Sequence, residues 1–279
     1  MSEQDWRALP GLTVNQRQGR PRSTGITEVR GPYYTVAGPR YLEDLFEIAG
    51  PYIDWLKIPG PAIALMPRPA LTRIAEISHA AEVKLSAGGL IEKVVTQGPQ
   101  AVEQYFDALP DLGFDVVEVS AGMIALPASD YLRLVERAAR TGLTVKAEVG
   151  IQFGAGGTSS ENALEAEGQG SVSHAIALGR DALSAGADFV ILESEGVTES
   201  VRSWRTDVPA ALAAAIGLDR VMFEAADPRV FEWYIKNFGP EVNLFVDHSQ
   251  ALLLESVRSG VWGSTSLFNR VVTYKGVTP

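Results

Sequence analysis

The sequence contains no cysteine, and it contains only three histidines. Disulfide bonds, thiolate nucleophiles and thiolate metal sites are therefore excluded, and a reducing compartment is permitted. Neither a G-x-S-x-G nor an H-E-x-x-H motif is present. The sequence thus gives little support to a serine hydrolase or to a two-histidine zinc enzyme.

Basic residues are scarce: 24 Lys and Arg face 34 Asp and Glu, for a formal charge of −10. Such a surface repels nucleic acid and anionic lipid unless its bases cluster, and no cluster is visible. No apolar run approaches the roughly 18 residues of a membrane helix, and the first residues do not resemble a signal peptide. We expect a cytoplasmic protein that binds neither nucleic acid nor membrane and forms a homo-oligomer.

Short apolar runs alternate with longer stretches of helical periodicity, which is typical of parallel strands joined by helices. Eight such runs in 279 residues favour a single-domain α/β protein, a (β/α)8 TIM barrel, over an open doubly wound sheet. The signature G-x-G-x-x-G and P-loop motifs of nucleotide-binding open sheets are absent. The predicted strands lie in the runs 25–31, 52–58, 82–89, 115–122, 144–150, 188–196, 220–226 and 242–250.

The same pattern predicts an amino-terminal arm or cap (1–24), the barrel (25–263) and a carboxyl-terminal tail (264–279). The stretch GAGGTSSENALEAEGQG, at 154–170, is acidic, rich in glycine and lacks aromatic residues. Long loops of this kind are either functional lids or disordered insertions. We predict a flexible acidic loop on the carboxyl-terminal face of the barrel, and both interpretations remain open.

Every predicted strand ends in at least one ionisable side chain, although buried parallel strands are normally apolar. Strand ends and the loops after them form the active sites of TIM barrels, so these side chains are expected to meet at one mouth. Converging carboxylates can hold a hard cation such as Mg²⁺, and neighbouring Lys and Arg side chains can receive an anionic substrate. The residues concerned are Glu28, Arg30, Lys57, Lys84, Ser86, Glu118, Ser120, Lys146, Glu148, Glu193, Glu195, Glu224, Asp247 and His248.

Segments along most of the chain, from about 25 to 263, resemble the phosphosulfolactate synthase family. They include DLGFDVVEVSAG, VKAEVG, AGADFVILE and IKNFGPEVNL. The phrases RPRSTGITEVRGPYYT and FVDHSQ are similar to a branch of that superfamily typified by plant heat-stress-associated proteins. The resemblance implies a (β/α)8 lyase that adds sulfite to phosphoenolpyruvate with Mg²⁺, and it implies functional roles for Lys57, Glu118, Glu148, Glu193 and Glu224.

The chain also departs from that family. Ile151 stands where the resemblance implies a catalytic lysine, and the loops after strands 1, 2 and 6 differ. Lys146, two residues before Glu148, is a candidate replacement as the proton carrier. His248, oriented by a hydrogen bond to Asp247, is an alternative acid or base.

We therefore expect a Mg²⁺-assisted synthase that adds sulfite or a related nucleophile to a small anionic metabolite. The predicted metal ligands are Glu118, Glu148 and Glu193; the predicted catalytic residues are Lys146, Glu148, Asp247 and His248; the predicted substrate-binding residues are Arg30, Lys57, Lys84, Ser120 and Glu224. Two alternatives remain open. One is a barrel enzyme with different acid/base chemistry based on Asp247 and His248, and the other is a non-catalytic stress or interaction protein.

Overall fold

The computed structural model describes residues 7–9, 11–15, 17–156, 159–264, 267–268 and 270–274. The eight strands form one closed parallel barrel in which each strand pairs with its neighbours in chain order and β8 pairs with β1. The predicted TIM barrel is confirmed. Its strands are β1 (Thr27–Arg30), β2 (Trp55–Ile58), β3 (Lys84–Ala87), β4 (Val116–Val119), β5 (Thr144–Val149), β6 (Phe189–Leu192), β7 (Val221–Glu224) and β8 (Asn243–Asp247).

Helices follow the strands and cover the barrel. Each of the eight predicted strands contains one observed strand. The long helices pack leucine, valine and aromatic side chains against the outer faces of the strands, in one continuous apolar core. The helices in the described residues are α1 (Pro39–Ala49), α2 (Gly60–Leu65), α3 (Arg68–Ala80), α4 (Ile91–Val95), α5 (Pro99–Asp111), α6 (Ala128–Ala139), α7 (Glu161–Glu167), α8 (Val172–Ser184), α9 (Asp207–Ile216), α10 (Pro228–Phe238) and α11 (Ala251–Arg258), with short 3-10 turns at Gly50–Tyr52 and His248–Gln250.

The inside of the barrel is layered, because alternate residues of each strand point inward. A separate apolar cluster fills part of the interior and includes Ile26, Trp55, Val116, Ile191, Met222 and Phe245. Charged side chains share the rest of the interior and continue to the carboxyl-terminal mouth. The charged groups lie next to this apolar cluster inside the barrel, so the cost of removing them from water must be offset by charge pairing.

Arginines fasten the amino-terminal arm and α11 to the opposite end of the barrel. Arg22 forms an ion pair with Asp54 at 3.1 Å. Arg258, which is fully buried, donates to the backbone oxygens of Gly25 and Val242 at 2.7 and 2.9 Å. The contacts of Arg258 satisfy backbone acceptors beside the starts of β1 and β8. The amino-terminal arm and α11 therefore close this end of the barrel.

The predicted limits of the arm, the loop and the tail stay predictions. Several of their residues (1–6, 10, 16, 157–158, 265, 266, 269 and 275–279) lie outside the described residues. Among the helices that the structure describes, none combines the length and the apolar character needed to cross a membrane.

Candidate active site

A cavity of about 700 Å³ opens at the carboxyl-terminal end of the barrel. Its lining includes seven of the predicted strand-end residues, which the parallel strands bring together although they are widely separated in the sequence. They are Arg30, Lys57, Glu118, Ser120, Glu148, Glu193 and Glu224.

A buried ion-pair network lies in and beneath the floor of this cavity. The Lys57 ammonium lies 2.7 Å from a Glu118 carboxylate oxygen, and the Lys146 ammonium lies 3.2 Å from the other oxygen. Lys146 is fully buried and also pairs with Glu28 at 2.5 Å. Glu118 is therefore held between two ammonium groups.

Charge pairing overcomes burial in this network. Burial alone would lower the pKa of Lys57, but the carboxylates of Glu118, Glu224 and Glu28 raise it above its usual value. Burial opposes the charge on Glu118 as well, yet Lys57 and Lys146 lower its pKa. Lys57 and Glu118 are thus fixed charges, and Lys57 presents a permanent cation to the cavity.

Glu148 and Glu193 have the opposite electrostatic environment. Among the described residues, neither forms a salt bridge. Burial, with repulsion from Glu118 and Glu193, raises the pKa of Glu148 well above its usual range. Burial, with repulsion from Glu224 and Glu195, raises the pKa of Glu193 to about 8, although a hydrogen bond from the backbone amide of Glu195 opposes the rise. Buried carboxyls with raised pKa values are typical of catalytic acids and bases.

A second cation reaches the cavity from β1. Arg30 pairs with Glu224 at 2.6 Å and lies 5.1 Å from the ring centroids of both Tyr34 and Phe245. Burial opposes its charge, but Glu224 raises the pKa of Arg30. Its guanidinium is therefore held in place by one carboxylate and two aromatic faces.

Sequence reasoning missed Glu92, which lies on α4 and lines the cavity. Its carboxylate accepts hydrogen bonds from the Ser120 hydroxyl at 2.5 Å and from the Met123 backbone amide at 2.7 Å. Burial raises the pKa of Glu92. The Gly88-Gly89 turn immediately before α4 was the available signal, because such a turn brings the following residues back over the strand end.

The acidic segment after β5 is attached to the β6 loop. Glu195, which is almost fully buried, accepts hydrogen bonds from the backbone amides of Gly156 and Ser159 at 2.9 and 2.8 Å. Gln152 donates to the backbone oxygens of Leu164 and Gly168. Gly156 also lines the cavity, so this segment forms part of the cavity wall.

Lys84 and Lys146 are not positioned as predicted. Lys84 is the first residue of β3 and is exposed, so it lies at the end of the barrel opposite the cavity. Lys146 lies below the cavity and does not line it. Ile151 is in the apolar core, so no cation replaces the family lysine at that position.

The predicted hydrogen bond between Asp247 and His248 is wrong. The His248 Nδ1 atom lies 2.9 Å from the backbone oxygen of Arg30, an acceptor, and 3.8 Å from Asp247. Asp247 instead accepts from the backbone amide and hydroxyl of Ser249, capping the turn after β8. Neither side chain lines the cavity, and His248 is the first residue of the 3-10 turn that follows β8.

The predicted three-carboxylate magnesium site is only partly compatible with this geometry. Across the described ranges, no three histidine, aspartate or glutamate side chains are arranged to hold a metal ion. Glu118 in particular is occupied by two ammonium groups. Glu148 and Glu193 do fit, because Mg²⁺ commonly binds through one or two carboxylates while keeping several waters.

Comparison with known proteins points to one family. Residues 15–264 match the family model of (2R)-phospho-3-sulfolactate synthase (ComA). The chain is 32% identical over 252 residues to the protein HEAT-STRESS-ASSOCIATED 32 of Arabidopsis thaliana, which covers 87% of this chain and 88% of the relative. It is 28% identical over 256 residues to the phosphosulfolactate synthase of Methanothermobacter thermautotrophicus, which covers 89% and 94%.

Solved structures share the fold at low sequence identity. The crystal structure of oxaloacetate acetylhydrolase superposes with a TM-score of 0.52 at 17% identity, covering 93% of this chain and 88% of that chain. This likeness concerns the barrel alone. The family match spans most of the chain, and the chain therefore belongs to the (2R)-phospho-3-sulfolactate synthase family of lyase-type barrel enzymes.

Proposed function

We propose that this protein is a synthase that adds a sulfur nucleophile to an unsaturated anionic acid, and that sulfite and phosphoenolpyruvate are the first pair to test. One observation carries the proposal. A single cavity contains a permanent cation, Lys57, and two buried carboxyls with raised pKa values, Glu148 and Glu193. An addition reaction needs both kinds of group, one for the substrate carboxylate and one for the proton.

In the proposed reaction the substrate carboxylate lies against Lys57, and Arg30 provides a second positive group at the cavity wall. The sulfur lone pair forms a bond to C3, and the electrons of the C2=C3 bond move towards C2 and the carboxylate. Lys57 stabilises the charge that develops there, because it is already in position and its charge does not change.

Glu193 completes the addition. In its protonated form it donates its proton to C2, which becomes tetrahedral, and the resulting carboxylate regains a proton from solvent. The raised pKa of Glu193, about 8, keeps it protonated at neutral pH. Glu148 has a raised pKa as well and is the proposed partner that exchanges protons with the nucleophile.

Magnesium remains part of the proposal, with Glu148 as the side chain that would hold it through water, because Glu193 must keep its proton. When bound, Mg²⁺ would supply Lewis-acid stabilisation of negative charge on the substrate. Glu118, which was also predicted to contact the metal, has a different proposed function, namely to hold Lys57 in place. A homo-oligomer in the cytoplasm also stays a prediction.

The two alternatives have weaker support. Chemistry based on Asp247 and His248 lacks both a hydrogen bond between them and access to the cavity. A non-catalytic barrel would account for the paired charges, namely Lys57 with Glu118 and Arg30 with Glu224. It does not account for Glu148 and Glu193, whose burial beside other acids is unfavourable in a purely structural role.

The test measures the consumption of sulfite with a reagent that becomes coloured when it reacts with sulfite. The acid offered is either phosphoenolpyruvate or a 2-alkenoic acid of four to eight carbons. We expect Glu193→Gln to lower the rate about 100-fold or more. Lys57→Met should raise the KM for the acid, and Lys84→Met is its matched control because Lys84 lies at the opposite end of the barrel.

Failure of every acid to consume sulfite with the wild-type protein would overturn the proposal. Loss of turnover in His248→Gln, with Glu193→Gln unaffected, would instead support acid/base chemistry at β8.

A further inference from the structure

The mouth of the cavity is apolar, in contrast to its charged floor. Leu65, Met123 and Tyr34 all line the cavity, yet 84%, 63% and 55% of their surfaces are exposed. Leu65 ends α2, Met123 follows β4 and Tyr34 follows β1, so three separate loops provide these side chains. Exposed apolar side chains that converge on one cavity are typical of a binding surface.

The floor has little capacity for a multiply charged anion. Among the described residues that line the cavity, the cations are Arg30, Lys57 and Lys93. Arg30 and Lys57 are already paired with Glu224 and Glu118, and Lys93 lies exposed at the mouth. A dianionic phosphate would also be repelled by the other acids of the cavity. A single carboxylate would need to pair only with the side of Lys57 that lines the cavity.

The cavity is also larger than a three-carbon substrate requires. Its volume of about 700 Å³ is in the middle of the range for pockets that enclose drug-sized ligands. Phosphoenolpyruvate has about ten non-hydrogen atoms and would fill only a small part of a pocket of that class. The apolar residues that line the cavity include Pro61, Leu65, Leu90 and Met123.

We propose that the preferred substrate is a carboxylic acid with an apolar chain, whose carboxylate contacts Lys57 and whose chain lies against Leu65 and Met123. This inference rests on the proposed function, because it assigns the acid that the same cavity binds. It separates this chain from an enzyme built for a compact phosphorylated acid.

Calorimetric titration with acetate, butyrate, hexanoate and octanoate tests the inference without any turnover. Each buried methylene should strengthen binding about two- to fourfold, since burying a CH₂ group contributes about 0.8 kcal/mol when complete. Octanoate should therefore bind at least about tenfold more tightly than butyrate. Binding that is independent of chain length, or no binding of any of the four acids, would overturn the inference.

Substitutions at the mouth identify where the apolar chain of the acid binds. Leu65→Ser and Met123→Ser should reduce the ratio of octanoate to butyrate affinity and leave acetate affinity unchanged. Leu252→Ser is the matched control, because Leu252 is an exposed leucine on α11 that does not line the cavity. Lys57→Met should weaken all four acids by the same factor.

The results also separate this inference from the proposed function. A normal chain-length dependence without sulfite turnover would support the substrate class and reject the sulfur chemistry. An apolar mouth could instead form an interface between copies of this protein, and sedimentation of Leu65→Ser tests that alternative. If that variant dissociates an oligomer and keeps the full chain-length dependence, the mouth is an interface between copies and the inference is wrong.

Discussion

At the scale of single residues, the cavity shows how environment divides one residue type into two roles. Glu118 lies between two ammonium groups, which lower its pKa despite its burial. Glu193 is buried beside Glu224 and Glu195, which raise its pKa. A sequence shows that both acids end a strand, but their pKa values depend on neighbours that come from other strands.

Lys146 gives a direct test of the buried network. Lys146→Met should lower the free energy of unfolding by about 3–5 kcal/mol, because Glu28 would remain buried without a partner. Denaturant titration measures the change. The double variant Lys146→Met with Glu28→Gln should recover part of the loss, since Glu118 keeps its contact with Lys57. A loss below about 1 kcal/mol in the single variant would contradict a structural role for this pair.

At the scale of elements, the pattern of strands predicted the fold correctly, whereas the position of a residue at a strand end did not always predict that it lines the cavity. Eight apolar runs were sufficient to predict the barrel, because their spacing and the helices between them leave few alternatives. Lys84 and His248 show the limit of that reasoning. Lys84 starts its strand instead of ending it, and His248 lies in a 3-10 turn, contacts the backbone oxygen of Arg30 and does not line the cavity.

The segment after β5 provides the prediction at this scale. Glu195→Gln removes one carboxylate oxygen that accepts from Gly156 or Ser159. We expect amide hydrogen exchange in this segment to become about tenfold faster, because hydrogen bonds to a charged acceptor contribute about 1.5–3 kcal/mol. The matched control is Glu161→Gln, a half-buried acid of α7 that pairs with the exposed Arg202. Equal exchange rates in both variants would show that Glu195 does not hold the segment against the β6 loop.

At the scale of the whole molecule, the stability of the barrel should depend on the protonation of the cavity. Folding raises the pKa of Glu193 from 4.5 to about 8, so the folded state binds this proton more tightly than the unfolded state does. The contribution to stability is complete below pH 4.5 and is lost as the pH rises towards 8. Relative to Glu193→Gln, the wild-type protein should lose roughly 2 kcal/mol of unfolding free energy between pH 6 and pH 8. Parallel pH dependences of the two proteins in denaturant titrations would contradict the assigned environment.

Magnesium provides a second measurement on the whole molecule. A divalent cation that binds at Glu148 stabilises the folded state by RT ln(1 + [Mg²⁺]/Kd), where Kd is its dissociation constant. At pH 8 we expect millimolar Mg²⁺ to raise the melting temperature of the wild-type protein and to leave that of Glu148→Gln unchanged. The same shift in both proteins would place the ion elsewhere.

The central claim is that Glu193 supplies a proton to an acid held in the cavity, and the pH dependence of sulfite consumption tests it most directly. With the unsaturated acid that is turned over fastest, the ratio of the wild-type rate to the Glu193→Gln rate removes the pH dependence of sulfite itself, which is common to both proteins. This ratio should be constant below pH 7 and fall as the pH passes about 8, because the protonated carboxyl of Glu193 is then lost. A ratio that rises through pH 8, or one that does not change with pH, would contradict a proton supplied by Glu193.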